Sequence, residues 1–119
     1  MAASRYKKSF LGDLEQMILL AILRLEEGAH APSVAHLLEE SAGRAVSRGA
    51  LYTTLNRLEK KGLVHWSVDE VSSLDDGRRG SPKRRFELTE AGLEALRVTR
   101  EALGNLSEGL ESTIAGDSR

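Results

Sequence analysis

The sequence predicts a mostly α-helical α+β domain, in which three helices are followed by two short strands and a final helix. Three observations predict it. Apolar residues recur at three- and four-residue spacing in four segments, short apolar runs flank a long turn that contains Gly and Asp, and residues typical of helix caps separate the segments. At 119 residues the chain is expected to form one domain.

Composition excludes several classes of function. Hydrophobic residues make up 40% of the chain and aromatic residues 4%, which allows a small core of Leu, Ile, Val and Ala. Because the chain has no cysteine, it cannot form a disulfide framework, a thiolate zinc site or a cysteine nucleophile. No apolar run approaches the roughly 20 residues of a membrane span, and residues 1–25 carry no signal-peptide pattern. We therefore expect a cytoplasmic protein.

Charge is segregated along the chain although the net charge is only −1. Residues 1–9 are expected to be a flexible basic arm that contains Arg5, Lys7 and Lys8. Five further cations fall within the eight residues 78–85, and the acidic residues concentrate elsewhere. A near-neutral chain with this separation of sign is compatible with a nucleic-acid-binding face on one side.

The first two helices are predicted from their apolar stripes and their stop signals. The first runs from Gly12 to about Glu26 and is expected to stop at Gly28, which can adopt the left-handed conformation of a helix end. The second begins at Pro32, since the N–H that proline lacks would be unpaired in the first helical turn. Gly43 ends it, and a helix-turn-helix corner leads to the third helix.

The third helix is predicted to have one apolar stripe and one polar face. Ser47 is a suitable N-cap, Leu51, Leu55 and Leu58 recur at helical spacing, and Gly62 ends the helix. A helix of this kind fits the major groove of duplex DNA, where polar side chains reach base edges and phosphates. The candidate DNA contacts are Arg48, Thr53 and Asn56 for base edges, Ser47, Tyr52 and Lys60 for phosphates, and Gly49 and Arg57 beside them.

Two short strands with a basic turn between them are predicted to form a wing. The first strand covers residues 63–68, the second covers residues 84–88, and residues 72–83 form the long turn. Five cations so close together are a strong electrostatic signal, because each neutralised phosphate releases condensed counterions. A polar-faced helix followed by a basic wing indicates a winged helix-turn-helix over residues 10–88. The candidate DNA contacts of the wing are Arg78, Arg79, Ser81, Lys83 and Arg84.

Alternation along the second strand separates two neighbouring cations. Arg84 and Arg85 point to opposite faces of a strand, so only one of them need face DNA. Trp66 on the first strand is expected to lie in the core or an interface rather than to serve as a platform for a ligand.

A final helix is predicted from the N-cap Thr89. Residues 89–113 are expected to form a C-terminal helix, with leucines at the a and d positions of about two heptads. Two heptads are too few for a free coiled coil, so the helix must pack against other elements. Residues 114–119 are expected to be a frayed tail.

Three motifs together resemble the PadR family of bacterial winged-helix transcriptional regulators, over about residues 9–110. They are LG…QMILLAIL in the first helix, S-x-G-x-L-Y-x-x-L-x-R-L-E-x-x-G-L from Ser47 to Leu63, and K-R-R-F-x-L-T-x-x-G from Lys83 to Gly92. The length after the wing is similar to that of the subgroup with a short C-terminal region. One departure stands at the start of the second helix, where His30-Ala31-Pro32 replaces the usual Tyr-Gly.

The resemblance implies a homodimer in which residues 89–113 form a C-terminal dimerisation helix that packs against the first helix of the partner. Two-fold symmetry would place two recognition helices about 34 Å apart, on a palindromic operator. The resemblance also places Tyr52 where the family contacts the DNA backbone. The expected dimer-interface residues are Leu11, Leu14, Ile18, Leu96, Leu103, Leu106 and Leu110.

These observations predict a homodimeric, sequence-specific regulator of transcription that acts as a repressor. The alternative is a winged-helix protein-interaction module whose basic wing docks an acidic partner, which the net charge of −1 favours. We expect no enzyme activity, no cofactor and no metal site, since the histidines lack ligand spacing. The family analogy leaves room for a small-molecule effector between the C-terminal helices and the first helix, although no residue cluster defines one. The aromatic-poor C-terminal helix does not favour a sensor of planar drugs.

Overall fold

The computed structural model describes residues 10–69 and 83–116. The predicted fold class is confirmed, because these described residues are mostly helical and include one two-stranded antiparallel sheet. Residues 1–9, most of the predicted turn, and residues 117–119 lie outside the described residues. In chain order the elements are α1 (Asp13–Leu25), a 3-10 turn (Glu26–Gly28), α2 (Ala31–Ala42), α3 (Arg48–Lys60), β1 (Val64–Asp69), β2 (Lys83–Leu88), α4 (Glu90–Ser107) and α5 (Glu111–Ile114).

Local capping explains where the helices begin and end. Pro32 lies in the first turn of α2, and Gly43 ends that helix with φ +64°. The side-chain oxygen of Ser47 accepts a hydrogen bond of 3.1 Å from the Ala50 N–H and so caps α3. The end of α1 differs from the prediction, because Glu26 rather than Gly28 has the positive φ, +54°. The chain turns directly after Leu25, and Gly28 lies within the 3-10 turn that follows.

One hydrophobic core joins the helices to the base of the sheet. Ile18 of α1, Val34 of α2 and Leu58 of α3 are completely buried, and Val64 and Phe86 add the two strands to the same cluster. The core therefore fixes α3 between the other helices and the wing, with only its polar side free. Among the described helices, none combines the length and the apolar character needed to cross a bilayer.

The sheet has one face toward the core and one face toward solvent. Trp66 pairs with Phe86 across the antiparallel ladder, and Val68 pairs with Arg84 further out. Directly opposed residues share a face, so this inner face changes from buried at Phe86 (2% exposed) to open at Val68 (55% exposed). The other edge of β2 is also covered, since the Phe86 N–H donates to the Ala29 carbonyl at 2.9 Å.

The C-terminal helix begins as predicted and ends earlier than predicted. The Thr89 hydroxyl caps α4 by accepting from the Gly92 N–H at 3.0 Å, and it donates to the Gly62 carbonyl at 2.7 Å. The single helix expected over residues 89–113 is divided, because α4 ends at Ser107 and α5 begins only at Glu111. Gly109, with φ +83°, allows the chain to turn between them.

The residues expected at a dimer interface differ in how far their own protomer buries them. Leu11, Ile18 and Leu96 are buried in the core of the protomer, so they are not available as contacts to a second subunit; this part of the prediction needs correction. These three residues are buried, as apolar residues of a helix stripe should be, but against other elements of the same chain. Leu14 is half-buried. The leucines that remain open are Leu103 (52% exposed), Leu106 (77%) and Leu110 (48%).

Candidate nucleic-acid interface

The side of α3 that faces away from the core carries the polar side chains singled out in the sequence. Leu51, Thr54, Leu55 and Leu58 are buried on the inner side. The predicted contacts on the outer side are exposed, apart from the half-buried Tyr52; they are Ser47, Arg48, Gly49, Thr53, Asn56, Arg57 and Lys60. The structure thus brings this set together on one open face of α3.

Both ends of this face attract anions. The first turn of α3 has no acidic residue and begins with Arg48, so the positive end of the helix dipole is not offset there. Arg57 and Lys60 lie in the last turn. Lys60 lies twelve positions after Arg48, which corresponds to about 18 Å along the helix axis. This span exceeds the roughly 12 Å width of the major groove, so the two ends can reach the phosphates on its two sides.

Ser47 has a hydrogen-bonding capacity beyond its cap. Its oxygen accepts from the Ala50 N–H, which leaves the hydroxyl hydrogen free to be donated. The hydroxyl is exposed at the N-terminus of α3. A phosphate oxygen at this end of the helix would meet a donor whose oxygen atom is held in place by the cap.

On the outer face of the sheet, the charge of Arg85 is offset by carboxylates. Its Nε lies 3.7 Å from Asp69 Oδ1, and its Nη1 lies 3.5 Å from Glu87 Oε2. His30 Nε2 lies 2.9 Å from Asp69 Oδ2, and His65 Nε2 lies 3.1 Å from Glu87 Oε1. This network links the two strands to each other and, through His30, to the start of α2, and it offsets the positive charge of Arg85.

Arg84 has different neighbours on the inner face. The centre of its guanidinium lies 5.0 Å from the ring centroid of Trp66, 5.6 Å from that of Tyr52 and 5.8 Å from that of Phe86. Tyr52 belongs to α3, whereas Trp66 and Phe86 belong to the two strands. The guanidinium therefore occupies the junction between α3 and the wing, on the side predicted to face DNA.

The start of α2 lines the same junction, together with Tyr52, Lys83 and Arg84. Here His30-Ala31-Pro32 stands in place of the Tyr-Gly that is usual at the start of the second helix, and the structure shows the contacts of His30. His30 directs its Nε2 to Asp69, and Pro32 has no N–H to donate. The cationic side chains of β2 therefore supply more of the positive charge at this corner than α2 does.

Two contacts of α3 were not predicted from the sequence. The Trp66 Nε1–H donates to Glu59 Oε2 at 3.2 Å, which links β1 to α3. Lys61 Nζ lies 2.9 Å from Glu15 Oε2, which links the residue after α3 to the first turn of α1. Neither contact follows a spacing that could be recognised before the fold was known.

The surroundings of Glu15 favour its ionised form. Burial of the carboxyl acts to raise its pKa, but the hydrogen bonds from the Gly12 N–H and Lys61, with the charges of Lys61 and Arg57, outweigh burial and lower the pKa from its usual value. The pair thus fixes the C-terminal end of α3 against α1.

The predicted wing contacts are only partly described. Lys83 is exposed at the first position of β2, opposite Asp69, and Arg84 lies at the junction described above. Arg78, Arg79 and Ser81 lie outside the described residues, so their assignment to DNA stays a prediction.

Comparison with known proteins gives one consistent family. A profile of the transcriptional regulator PadR-like family matches residues 19–98. The fold is similar to that of a PadR-like transcription factor from Bacteroides fragilis, which is 27% identical with a TM-score of 0.66, over 92% of this chain and 95% of that one. A PadR-like transcriptional regulator from Bacillus cereus is 27% identical with a TM-score of 0.67, over 85% and 90% of the two chains.

A Streptococcus transcriptional regulator is also similar, at 25% identity and a TM-score of 0.65, over 84% of this chain and 90% of that one. No functionally curated protein matches the sequence significantly.

Proposed function

Because the chain belongs to the PadR-like family of transcriptional regulators, we propose that it is a homodimeric, sequence-specific DNA-binding repressor that acts at a palindromic operator in the cytoplasm. The observation that carries the proposal is the open polar face of α3, which has cations at both ends and the Arg84 guanidinium beside it. A helix face of this size and charge is suited to the major groove.

The proposed contacts divide into two kinds. Arg48, Thr53 and Asn56 would reach base edges, since their side chains lie along the middle and the start of the open face. The remaining residues would bind phosphates and fix the position of the helix. They are Ser47, Tyr52, Arg57 and Lys60 of the helix region and Arg78, Arg79, Ser81, Lys83 and Arg84 of the wing, with Gly49 allowing close approach of the backbone.

The leucines of the C-terminal region support the homodimer. Leu103 and Leu106 continue the stripe that Leu96 and Thr99 bury inside the protomer, at spacings of three and four residues. The stripe therefore extends beyond the domain that covers its first half. A second copy would bury its exposed part and would relate two α3 helices by two-fold symmetry, as a palindromic operator requires.

The test is fluorescence anisotropy of the purified chain with the DNA upstream of its own gene, with a shuffled duplex as the control, at two salt concentrations. We expect preference for the upstream DNA at near-physiological salt and a steep loss of affinity as salt rises. Weak binding that is equal for the two duplexes and is abolished by salt would contradict the proposal. It would favour instead a module whose basic wing docks an acidic protein.

Repression needs a separate readout. Transcription in vitro from the same promoter should fall as the protein is added, over the concentration range in which the operator becomes occupied. A rise in transcript would identify an activator.

A further inference from the structure

We propose that Trp66 is a positioning residue for DNA binding, which holds the Arg84 guanidinium at the junction of α3 and the wing, ready to bind a phosphate. The inference rests on the proposed function, because it assumes that this junction faces duplex DNA. It assigns a role to a side chain that does not itself need to touch the DNA.

The guanidinium of Arg84 lies among three aromatic rings. It lies nearest to the Trp66 ring, at 5.0 Å from the centroid, and within 6 Å of the rings of Tyr52 and Phe86. A tryptophan face attracts a cation more strongly than other aromatic faces do. A guanidinium that lies over a ring keeps its N–H groups in its own plane, where they remain free to form the paired hydrogen bonds that a phosphate accepts.

Trp66 is held by contacts with both β2 and α3. The residue lies opposite Phe86 in the ladder, and its indole N–H donates to Glu59 of α3. Because the hydrogen bond leaves from the edge of the ring, the face stays directed at Arg84. The ring is thus fixed by both the wing and α3, and the guanidinium of Arg84 is positioned relative to both elements through its contact with the ring.

Holding Arg84 in place lowers the entropy that its side chain loses on binding. A free arginine loses rotamer entropy when it binds a phosphate, whereas a half-buried arginine that already lies over a ring has lost much of it. Removing the attraction between the ring and the cation should therefore weaken DNA binding although every DNA-contacting residue is still present. An effect of about threefold to tenfold on Kd corresponds to the usual strength of such an interaction.

Trp66 packs against the core without being fully buried in it. Val64 and Phe86 fill the base of the sheet and are almost inaccessible, whereas Trp66 is only half-buried. A change confined to the electron density of the indole ring would leave the shape of this packing unaltered.

The experiment uses the fact that the full chain has a single tryptophan. Biosynthetic replacement of tryptophan by mono-, di- and trifluorotryptophan changes only residue 66 and weakens the negative face of the ring in steps, at nearly constant shape. We expect the Kd for the upstream duplex, measured by anisotropy, to rise with each fluorine, to a total of about threefold to tenfold. The thermal unfolding midpoint should stay constant across the series.

An Arg84→Met background supplies the matched control. If Trp66 acts through Arg84, the Kd of R84M should be raised once and should then be insensitive to fluorination. A Kd that is independent of fluorination in the parent protein, or that responds equally in R84M, would overturn the inference while the proposed function stands. Failure of the unlabelled parent protein to prefer its duplex would overturn the proposed function and the inference with it.

Discussion

At the scale of single residues, Arg84 and Arg85 are adjacent on β2, yet they meet opposite surroundings. Arg85 lies between Asp69 and Glu87, whereas Arg84 lies over the rings of Trp66 and Tyr52. A lysine keeps the charge of either residue but has neither the flat face that stacks on a ring nor the fork that binds a phosphate through two N–H groups. The two positions should therefore respond differently to the same change.

We expect Arg84→Lys to weaken binding to the upstream duplex by about tenfold. A guanidinium that stacks on a ring and can donate two hydrogen bonds to one phosphate is replaced by an ammonium group, which acts as a point charge. Arg85→Lys is the matched control, since it keeps the net charge and the pairing with Asp69 and Glu87. It should change Kd by less than about twofold, an effect typical of a surface ion pair. Equal losses for the two variants, measured by anisotropy, would show that both arginines contact DNA.

A second residue-scale prediction concerns Glu15. The pKa of this carboxyl is lowered in the folded chain, so its contribution to stability is fully present above the ordinary pKa of a glutamate. The contribution is lost as the pH falls through the lowered pKa. Glu15→Gln should cost about 1 kcal/mol at pH 7, because one charged hydrogen bond to the partly solvated Lys61 is lost.

Urea unfolding of both proteins at one fixed concentration, at pH 7 and near pH 3, checks this prediction. The difference in unfolding free energy between parent and variant should shrink toward zero at the lower pH. A difference that is the same at both pH values would mean that the Glu15 charge contributes nothing.

At the scale of elements, the docking of α4 on the end of α3 requires a glycine. Thr89 binds the Gly62 carbonyl, and a Cβ at Gly92 would overlap the Leu63 carbonyl oxygen. Gly92→Ala must push α4 away from the start of β1, which we expect to cost about 1–3 kcal/mol. Gly104→Ala in the same helix meets nothing within 4 Å and should instead stabilise the protein by about 0.5–1 kcal/mol.

Thermal unfolding of both variants gives the comparison directly. The two substitutions add the same methyl group to the same helix. Opposite shifts of the midpoint are nevertheless expected, because only the methyl group at residue 92 meets another part of the chain. If Gly92→Ala proved as stable as the parent, α4 would not be held against Leu63 in the way described.

The elements also show which features a sequence can predict. Caps such as Ser47, Gly43 and Thr89 act within one turn, and they gave helix ends within a few residues of those observed. The Glu15–Lys61 pair joins residues 46 positions apart, and it depends on how the helices cross. Periodicity located the buried stripes correctly, but a stripe does not reveal whether its own chain or a second copy covers it, as Leu96 shows.

The same reasoning explains the outcome for the candidate site. The polar face of α3 was predictable, because one helical period separates Leu51, Leu55 and Leu58 from the exposed residues. Alternation on β2 predicted that Arg84 and Arg85 would point to opposite faces, and Arg84 was the one assigned to DNA. The two carboxylates beside Arg85 have different origins, because Asp69 comes from the paired strand, whereas Glu87 lies two positions along the same strand.

At the scale of the whole molecule, the proposed DNA-binding face depends on how two copies are arranged. A net charge of −1 gives little overall attraction for DNA, so affinity has to come from local cations used twice on one duplex. Dimerisation would double the number of phosphates neutralised and would steepen the salt dependence of binding accordingly. Loss of the dimer should therefore affect DNA binding even when every contacting residue is intact.

The final prediction tests that dependence at Leu106, the most exposed leucine of α4 at 77%. Leu106→Glu would place a charge within the proposed apolar interface, where an unpaired charge is strongly unfavourable, so the dimer should dissociate at micromolar concentration. Glu101→Ala, at an exposed position on another face of the same helix, is the control and should remain dimeric. Sedimentation velocity reports the mass of each variant.

Anisotropy with the upstream duplex should then show that L106E binds at least about tenfold more weakly, with roughly half the salt slope of the parent, because one subunit alone neutralises half as many phosphates. A monomeric L106E with unchanged affinity and slope would show that one copy is sufficient. A parent protein that sediments as a monomer would contradict the homodimer itself, and the exposed leucines of the C-terminal region would then need a different partner.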